Sequence, residues 1–203
     1  MAGEGEQAPD EAVRVHSPRK DSAVVTIGRV TLPPELLGEP RVEIVAHYWW
    51  TGRDHATQYT ALLELLRRRW RVVGVDVDAT GVGAGVASWL QRAMGDLVED
   101  VVFTRPRKSE LGYVLLSAIR GGRCLMYKED GSAESEEFWK EMTLCRYTAL
   151  QSQSMNFYVD DKDGHDDFVV SAALMVAAAA VCAPEPAGGM VAAPLLYPNE
   201  SRY

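Results

Sequence analysis

The sequence is short of the residues that would place it outside the cell or in a membrane. Its three cysteines, Cys124, Cys145 and Cys182, have no metal-ligand spacing. That argues against a disulfide framework or a zinc site and reads as reduced thiols of a cytoplasmic protein. No stretch approaches the roughly 18 consecutive apolar residues of a membrane span, and the acidic, glycine-rich start lacks the basic and apolar regions of an export signal. Positive charge is scarce too. Against 29 Asp and Glu stand 21 Lys and Arg, a net charge of −8, which excludes a general nucleic-acid coat because phosphate binding draws on clustered cations. No G-x-x-x-x-G-K-S/T loop occurs, so the chain is not by itself a P-loop ATPase. No internal repeat is found.

What is present suits one globular domain: 203 residues, 47% apolar and 25% charged. Residues 1–20 hold Pro9, Pro18 and no periodic apolar pattern, and read as a flexible loop. Residues 21–182 read as the folded domain. Residues 183–203, with four prolines and Gly188-Gly189, read as a linker or disordered tail. Within the domain, β-branched runs predict strands over 22–31 and 41–51. Helices are expected over 55–69, 82–94, 109–119, 134–146 and 167–182, and strands over 71–77, 97–103, 123–127 and 155–159. That alternation predicts an α/β fold whose mixed sheet has a parallel portion.

Two segments have the residue types and positions for chemistry. Val72 to Asp78 is a strand that runs into Ala79-Thr80-Gly81-Val82-Gly83. Asp76 and Asp78 fall on one face near the strand's carboxyl end, where open α/β sheets bind ligands. The plainer role for Asp78 is to accept hydrogen bonds from the turn. Gly81-x-Gly83 opens like a dinucleotide fingerprint, but its third glycine position is Val86. Gly164-His165-Asp166-Asp167 opens an apolar helix, where acids favour the helix dipole and serve as caps. His165 reads as a turn residue. If the two segments converge at one rim, their carboxylates become hard oxygen ligands suited to a pair of Mg²⁺ or Mn²⁺ ions. Asp160, Asp161 and Asp163 add negative potential nearby and otherwise read as a solvated loop.

Four motifs in order resemble the nuclease domain of phage terminase large subunits, of the RNase H-like superfamily: Lys20-Asp21-Ser22-Ala23-Val24, Asp78-Ala79-Thr80-Gly81-Val82-Gly83, Phe103 to Lys108-Ser109, and Gly164-His165-Asp166-Asp167. The resemblance covers roughly residues 21–180. It implies a three-layer α/β fold with a mixed central sheet flanked by helices. It also implies a metal-dependent endonuclease that cuts concatemeric DNA by two-metal phosphodiester hydrolysis during packaging. By position, Asp78 and Asp167 become catalytic metal ligands, Asp166 an alternate for Asp167, and Asp21 an assisting acid. Lys108, with Arg107 and Arg105, becomes a contact to DNA phosphate. The implied partners are double-stranded DNA, a terminase ATPase domain, a portal and a small terminase subunit, in host cytoplasm and without a membrane.

One departure stands out. The family's first catalytic aspartate sits on a central strand ahead of the position of Asp21, and here Ala2-Gly3-Glu4 resembles the residues that follow that aspartate. The expectation is that preceding residues of a longer protein supply that strand and its acid, and that residues 1–203 alone bind metal poorly and cut slowly or not at all. Two other readings use the same residues. A Holliday-junction resolvase of the same superfamily would use the acids on branched DNA, and a non-enzymatic nucleotide-binding or interaction module would use the Gly81–Gly85 turn.

Overall fold

The computed structural model describes residues 22–33, 38–52, 55–81, 83–150 and 154–181. The expectations for residues 1–20 and 183–203, and those for Asp21 and Cys182, lie outside the described residues. The element order is β1 (Ser22–Thr31), β2 (Arg41–Thr51), α1 (His55–Glu64), β3 (Val75–Asp78), α2 (Gly83–Met94), β4 (Val98–Val101), α3 (Arg105–Arg120), β5 (Cys124–Leu125), α4 (Ala133–Leu144), β6 (Arg146–Ala149), β7 (Met155–Tyr158) and α5 (Asp167–Val181). β1 and β2 pair antiparallel, with a bulge at Ile27/Gly28, and β2 pairs parallel with β5. β3 pairs parallel with β4, and β6 pairs antiparallel with β7. This is the mixed parallel and antiparallel α/β arrangement that the sequence predicts.

Alternation along β1 and β2 separates two cores. On one face Val24, Ile44 and Trp49 join Leu111, Leu115, Phe138, Phe168, Val169, Ala172 and Ala173 from α3, α4 and α5. On the other, Val25, Ile27, Val45 and Tyr48 join Leu62, Leu66, Leu90 and Val98. Helices therefore cover both faces. Among the described residues, no helix is long and apolar enough to cross a membrane.

Several boundaries differ from the sequence reading, each for a local reason. α1 runs on as a π-helical turn over Leu65–Trp70 that ends on left-handed Arg71 (φ 51°), so the strand expected over 71–77 is confined to Val75–Asp78. α3 begins at Arg105, not Ser109. The Thr104 side chain accepts from the Arg107 N–H, and Pro106 fits the first turn, where no helical donor is lost. β6 was not anticipated, because all four of its residues are exposed and no apolar alternation marks it.

α3 crosses the β6–β7 hairpin at Gly112, where a Cβ would lie 2.7 Å from both Met155 Sδ and Phe157 Cδ1. The Phe157 ring is buried and cannot yield as easily as the thioether. Gly112→Val is therefore expected to destabilise the fold by about 1–3 kcal/mol through overpacking. A urea midpoint unchanged from wild type would contradict this close approach.

Candidate active site

β3 ends at Asp78, and the chain turns at once into α2. The Asp78 Oδ1 accepts the Thr80 N–H at 2.8 Å, an Asx-type turn, so the plainer role read from sequence is present. The glycines have geometric causes as well. Gly81 has φ +57°, and a Cβ on Gly83 would collide with the Asp78 carbonyl oxygen. The glycine pattern therefore follows from the close approach of α2 to the end of β3 and needs no nucleotide to explain it. Thr80 fixes the turn to the next element. Its Oγ1 accepts the Phe103 N–H at 2.8 Å, and Ala79 N donates to Val101 O at 2.9 Å.

α5 brings the second acid. Its residues Val170, Ser171, Leu174, Met175 and Ala178 line the same cavity of about 800 Å³ as Asp76 and Asp78, and Asp167 at its amino end lines it too. The two segments that are almost ninety positions apart in sequence thus meet at one cavity. Asp76 is half-buried there. Burial pushes its carboxyl up to about 6, with Arg107 opposing the shift and Glu99 adding to it.

Asp166 is directed elsewhere. Its Oδ2 accepts from Lys108 Nζ at 3.1 Å, and it lines a second cavity with Lys108, Asp160, Asp161, Lys162 and His165. Lys108 also lies over the Phe157 ring, 5.2 Å from its centroid. The lysine expected on DNA phosphate is thus engaged within the protein. Arg107 pairs with Glu110 at 2.8 Å, while Arg105 is exposed in the first turn of α3.

The residue that sequence reading missed is Glu141. It is 2% exposed, in the last turn of α4, and its Oε2 accepts the N–H groups of Phe168 and Val169 at 2.7 and 3.2 Å. Glu141 rather than Asp166 or Asp167 therefore satisfies the first free amides of α5. A signal existed: Ser135, Phe138 and Glu141 form the buried stripe of α4 at a spacing of three, and a carboxylate on an apolar stripe needs a partner. Next to it His47, buried and packed on Phe138 and Phe168, bonds Tyr127 Oη through Nδ1 at 2.8 Å. Burial lowers the His47 pKa to about 4, so it is neutral at pH 7.

The carboxylates at the cavity, Asp76, Asp78 and Asp167, are hard oxygen donors, the right chemistry for Mg²⁺ or Mn²⁺. Among the described residues, however, no cluster of three or more His, Cys, Asp or Glu side chains is assembled to hold an ion. Asp78 and Asp167 each bring such oxygens to the cavity.

Comparison with known proteins agrees with this frame. The fold matches that of the large terminase nuclease from thermophilic phage G20c, solved with bound magnesium, at a TM-score of 0.53 and 18% identity, over 80% of this chain and 83% of that one. It also matches the large terminase nuclease domain of Thermus phage P74-26 at a TM-score of 0.50 and 17% identity, over 80% and 82%. These likenesses define the class by fold, a mixed α/β nuclease-type domain. A model of the terminase RNaseH-like domain matches residues 39–178, and the chain belongs to that family. It is also 32% identical over 111 residues to the terminase ATPase subunit of Escherichia phage P2, a match that covers 55% of this chain but only 18% of that protein.

Glu141 yields a pH prediction. Burial, opposed by the Phe168 and Val169 amides, raises its pKa from 4.5 to about 8. Between these values the folded state keeps a proton that the unfolded chain has released. Its contribution to stability is therefore full below about pH 4.5 and is lost as pH rises to about 8. Glu141→Gln keeps an acceptor for the α5 amides and removes the titration. The stability of wild type relative to this variant should fall steadily across urea titrations at pH 5, 6.5 and 8; a constant difference would contradict the assignment.

Proposed function

We propose that this chain is the nuclease domain of a DNA-packaging terminase and hydrolyses DNA phosphodiesters with a divalent cation. The observation that supports this most is that Asp78, at the end of β3, and Asp167, at the start of α5, line one cavity in a chain of this family.

Asp78 and Asp167 would hold the cation, Mg²⁺ or Mn²⁺, in a site of the two-metal kind. When bound, such a cation activates water and neutralises charge that develops on the phosphate. The protein's own part is placement. Thr80 fixes the Asp78 carboxylate through the turn, and Glu141 fixes the first turn of α5 and so the position of Asp167. Lys108 draws Asp166 away from the cavity. Arg105 and Arg107, in the first turn of α3, are placed to meet backbone phosphates, with Lys108 behind them. Duplex DNA is the proposed substrate. An ATPase domain, a portal and a small terminase subunit are the proposed partners, in the host cytoplasm.

Cleavage of linear duplex DNA at enzyme excess, with Mg²⁺ or Mn²⁺, tests the reading. Asp78→Asn and Asp167→Asn should each lower the metal-dependent rate by about 100-fold or more, whereas Asp161→Asn should not. Metal-dependent cleavage that survives both substitutions contradicts the reading. Faster cutting of four-way junctions than of linear duplex would indicate the resolvase instead.

A further inference from the structure

The chain that leads into β3, at the end of that strand opposite the acids, carries a charge pattern the cleavage reading leaves unused. Residues 65–75 hold four arginines, Arg67, Arg68, Arg69 and Arg71, and no Asp or Glu, in a chain whose net charge is −8. All four are exposed. Among the described residues neither Arg67 nor Arg71 has an ion-pair partner, and Arg68 reaches only Glu64, at 4.0 Å, with both side chains largely exposed. An ion pair of that kind contributes little.

The cluster stands on a fixed base. Leu65 and Leu66 of the same π-helical turn are buried. Trp70 Nε1 donates to Tyr48 Oη at 3.0 Å, and the Arg69 guanidinium lies over the Tyr48 ring, 5.6 Å from its centroid. The turn is thus pinned to β2, whose Tyr48 packs in the second core. Arg71 closes it in the left-handed conformation, φ 51° and ψ 52°, with its N–H bonded to the Leu66 carbonyl. Glycine or asparagine is the usual residue at such a helix end, because a Cβ there is strained. Among the described residues Arg71 is the one non-glycine with positive φ. Attraction to the negative end of a helix accounts for cations in its last turn. It does not account for a fourth one past that end, in a conformation that disfavours any side chain.

Guanidinium groups match phosphate through planar, paired hydrogen bonds. Three in succession on a helical turn fan out around its axis, and the fourth carries the row past its end. The set therefore suits a repeating line of charges rather than a single anion. We propose that the Arg67–Arg71 turn is a second DNA contact, which grips the phosphate backbone of a duplex away from the acids. It leads into the amino end of β3, whereas Asp78 closes the carboxyl end, seven positions from Arg71 and so at most about 24 Å away along the chain. Phosphate contacts position a duplex without reading its bases, so the turn holds DNA of any sequence. The choice of DNA among polyanions rests on the cleavage reading, but the contact itself needs neither metal nor cutting.

The test measures binding of the full chain to a labelled linear duplex by fluorescence anisotropy, in EDTA so that nothing is cut. Wild type should bind saturably. Arg67→Gln/Arg68→Gln/Arg69→Gln should bind at least about tenfold more weakly, and its slope of log K against log salt should be flatter by about 2–3. Arg92→Gln/Arg120→Gln/Lys128→Gln removes the same charge from exposed positions elsewhere and should stay within about twofold of wild type. A second measurement, on wild type alone, stands whether or not the variants fold. The duplex should slow phenylglyoxal modification of Arg67–Arg69, located by mass spectrometry, by at least about fivefold, and polyglutamate should not. No saturable binding, equal losses in the two triple variants, or protection by polyglutamate equal to that by DNA would overturn the proposal. A chain that binds DNA here and never cuts it leaves this proposal standing and contradicts only the cleavage reading.

Discussion

The arrangement depends on how α5 is held. Its flank packs under β1 and β3, and its first amides are accepted by the carboxyl group of Glu141, buried in another helix. Because the helix rises about 1.5 Å per residue and turns 100° with each, anchoring its first turn fixes which of two adjacent acids faces the cavity. Asp167 faces it and Asp166 turns to Lys108. Without Glu141 the helix could still form, since its alanine-rich sequence favours it, but nothing would set its rotation as tightly.

The electrostatics follow from that geometry. Asp76, Asp78 and Asp167 gather negative charge on a partly enclosed cavity, and burial already raises the Asp76 pKa. On the proposed reading, a divalent cation would offset that charge. Cations at the start of α3 lie within electrostatic reach, as the influence of Arg107 on Asp76 indicates. The proposed reading would let a protein with a net charge of −8 engage a polyanion through one local basic turn and a bound metal.

Much of this was legible in the sequence. The bounds of β1 and β2 follow from β-branched runs interrupted by proline and glycine, and Asp78 and Asp167 stand out where apolar elements begin or end. The choice between Asp166 and Asp167 was not legible, because it rests on helix rotation set by a residue 27 positions away. The early start of α3 was hidden by Pro106, which breaks a helix interior but suits its first turn. β6 was hidden by its exposure, and the late start of β3 by the π-helical turn before it, whose irregularity has no periodic signature. The dinucleotide-like glycines show the reverse case, a pattern with an apparent chemical meaning that packing accounts for in full.

The central claim is that Asp78 and Asp167 share one cation. Paramagnetic broadening of backbone amide signals by substoichiometric Mn²⁺ tests it directly, because even weak binding broadens nearby nuclei. The account predicts that signals from Asp78–Thr80 and from Asp167–Val169 fade together, at the same added metal and ahead of all others. Loss of only one of these sets, or earlier loss around Asp160–Asp163, would contradict it.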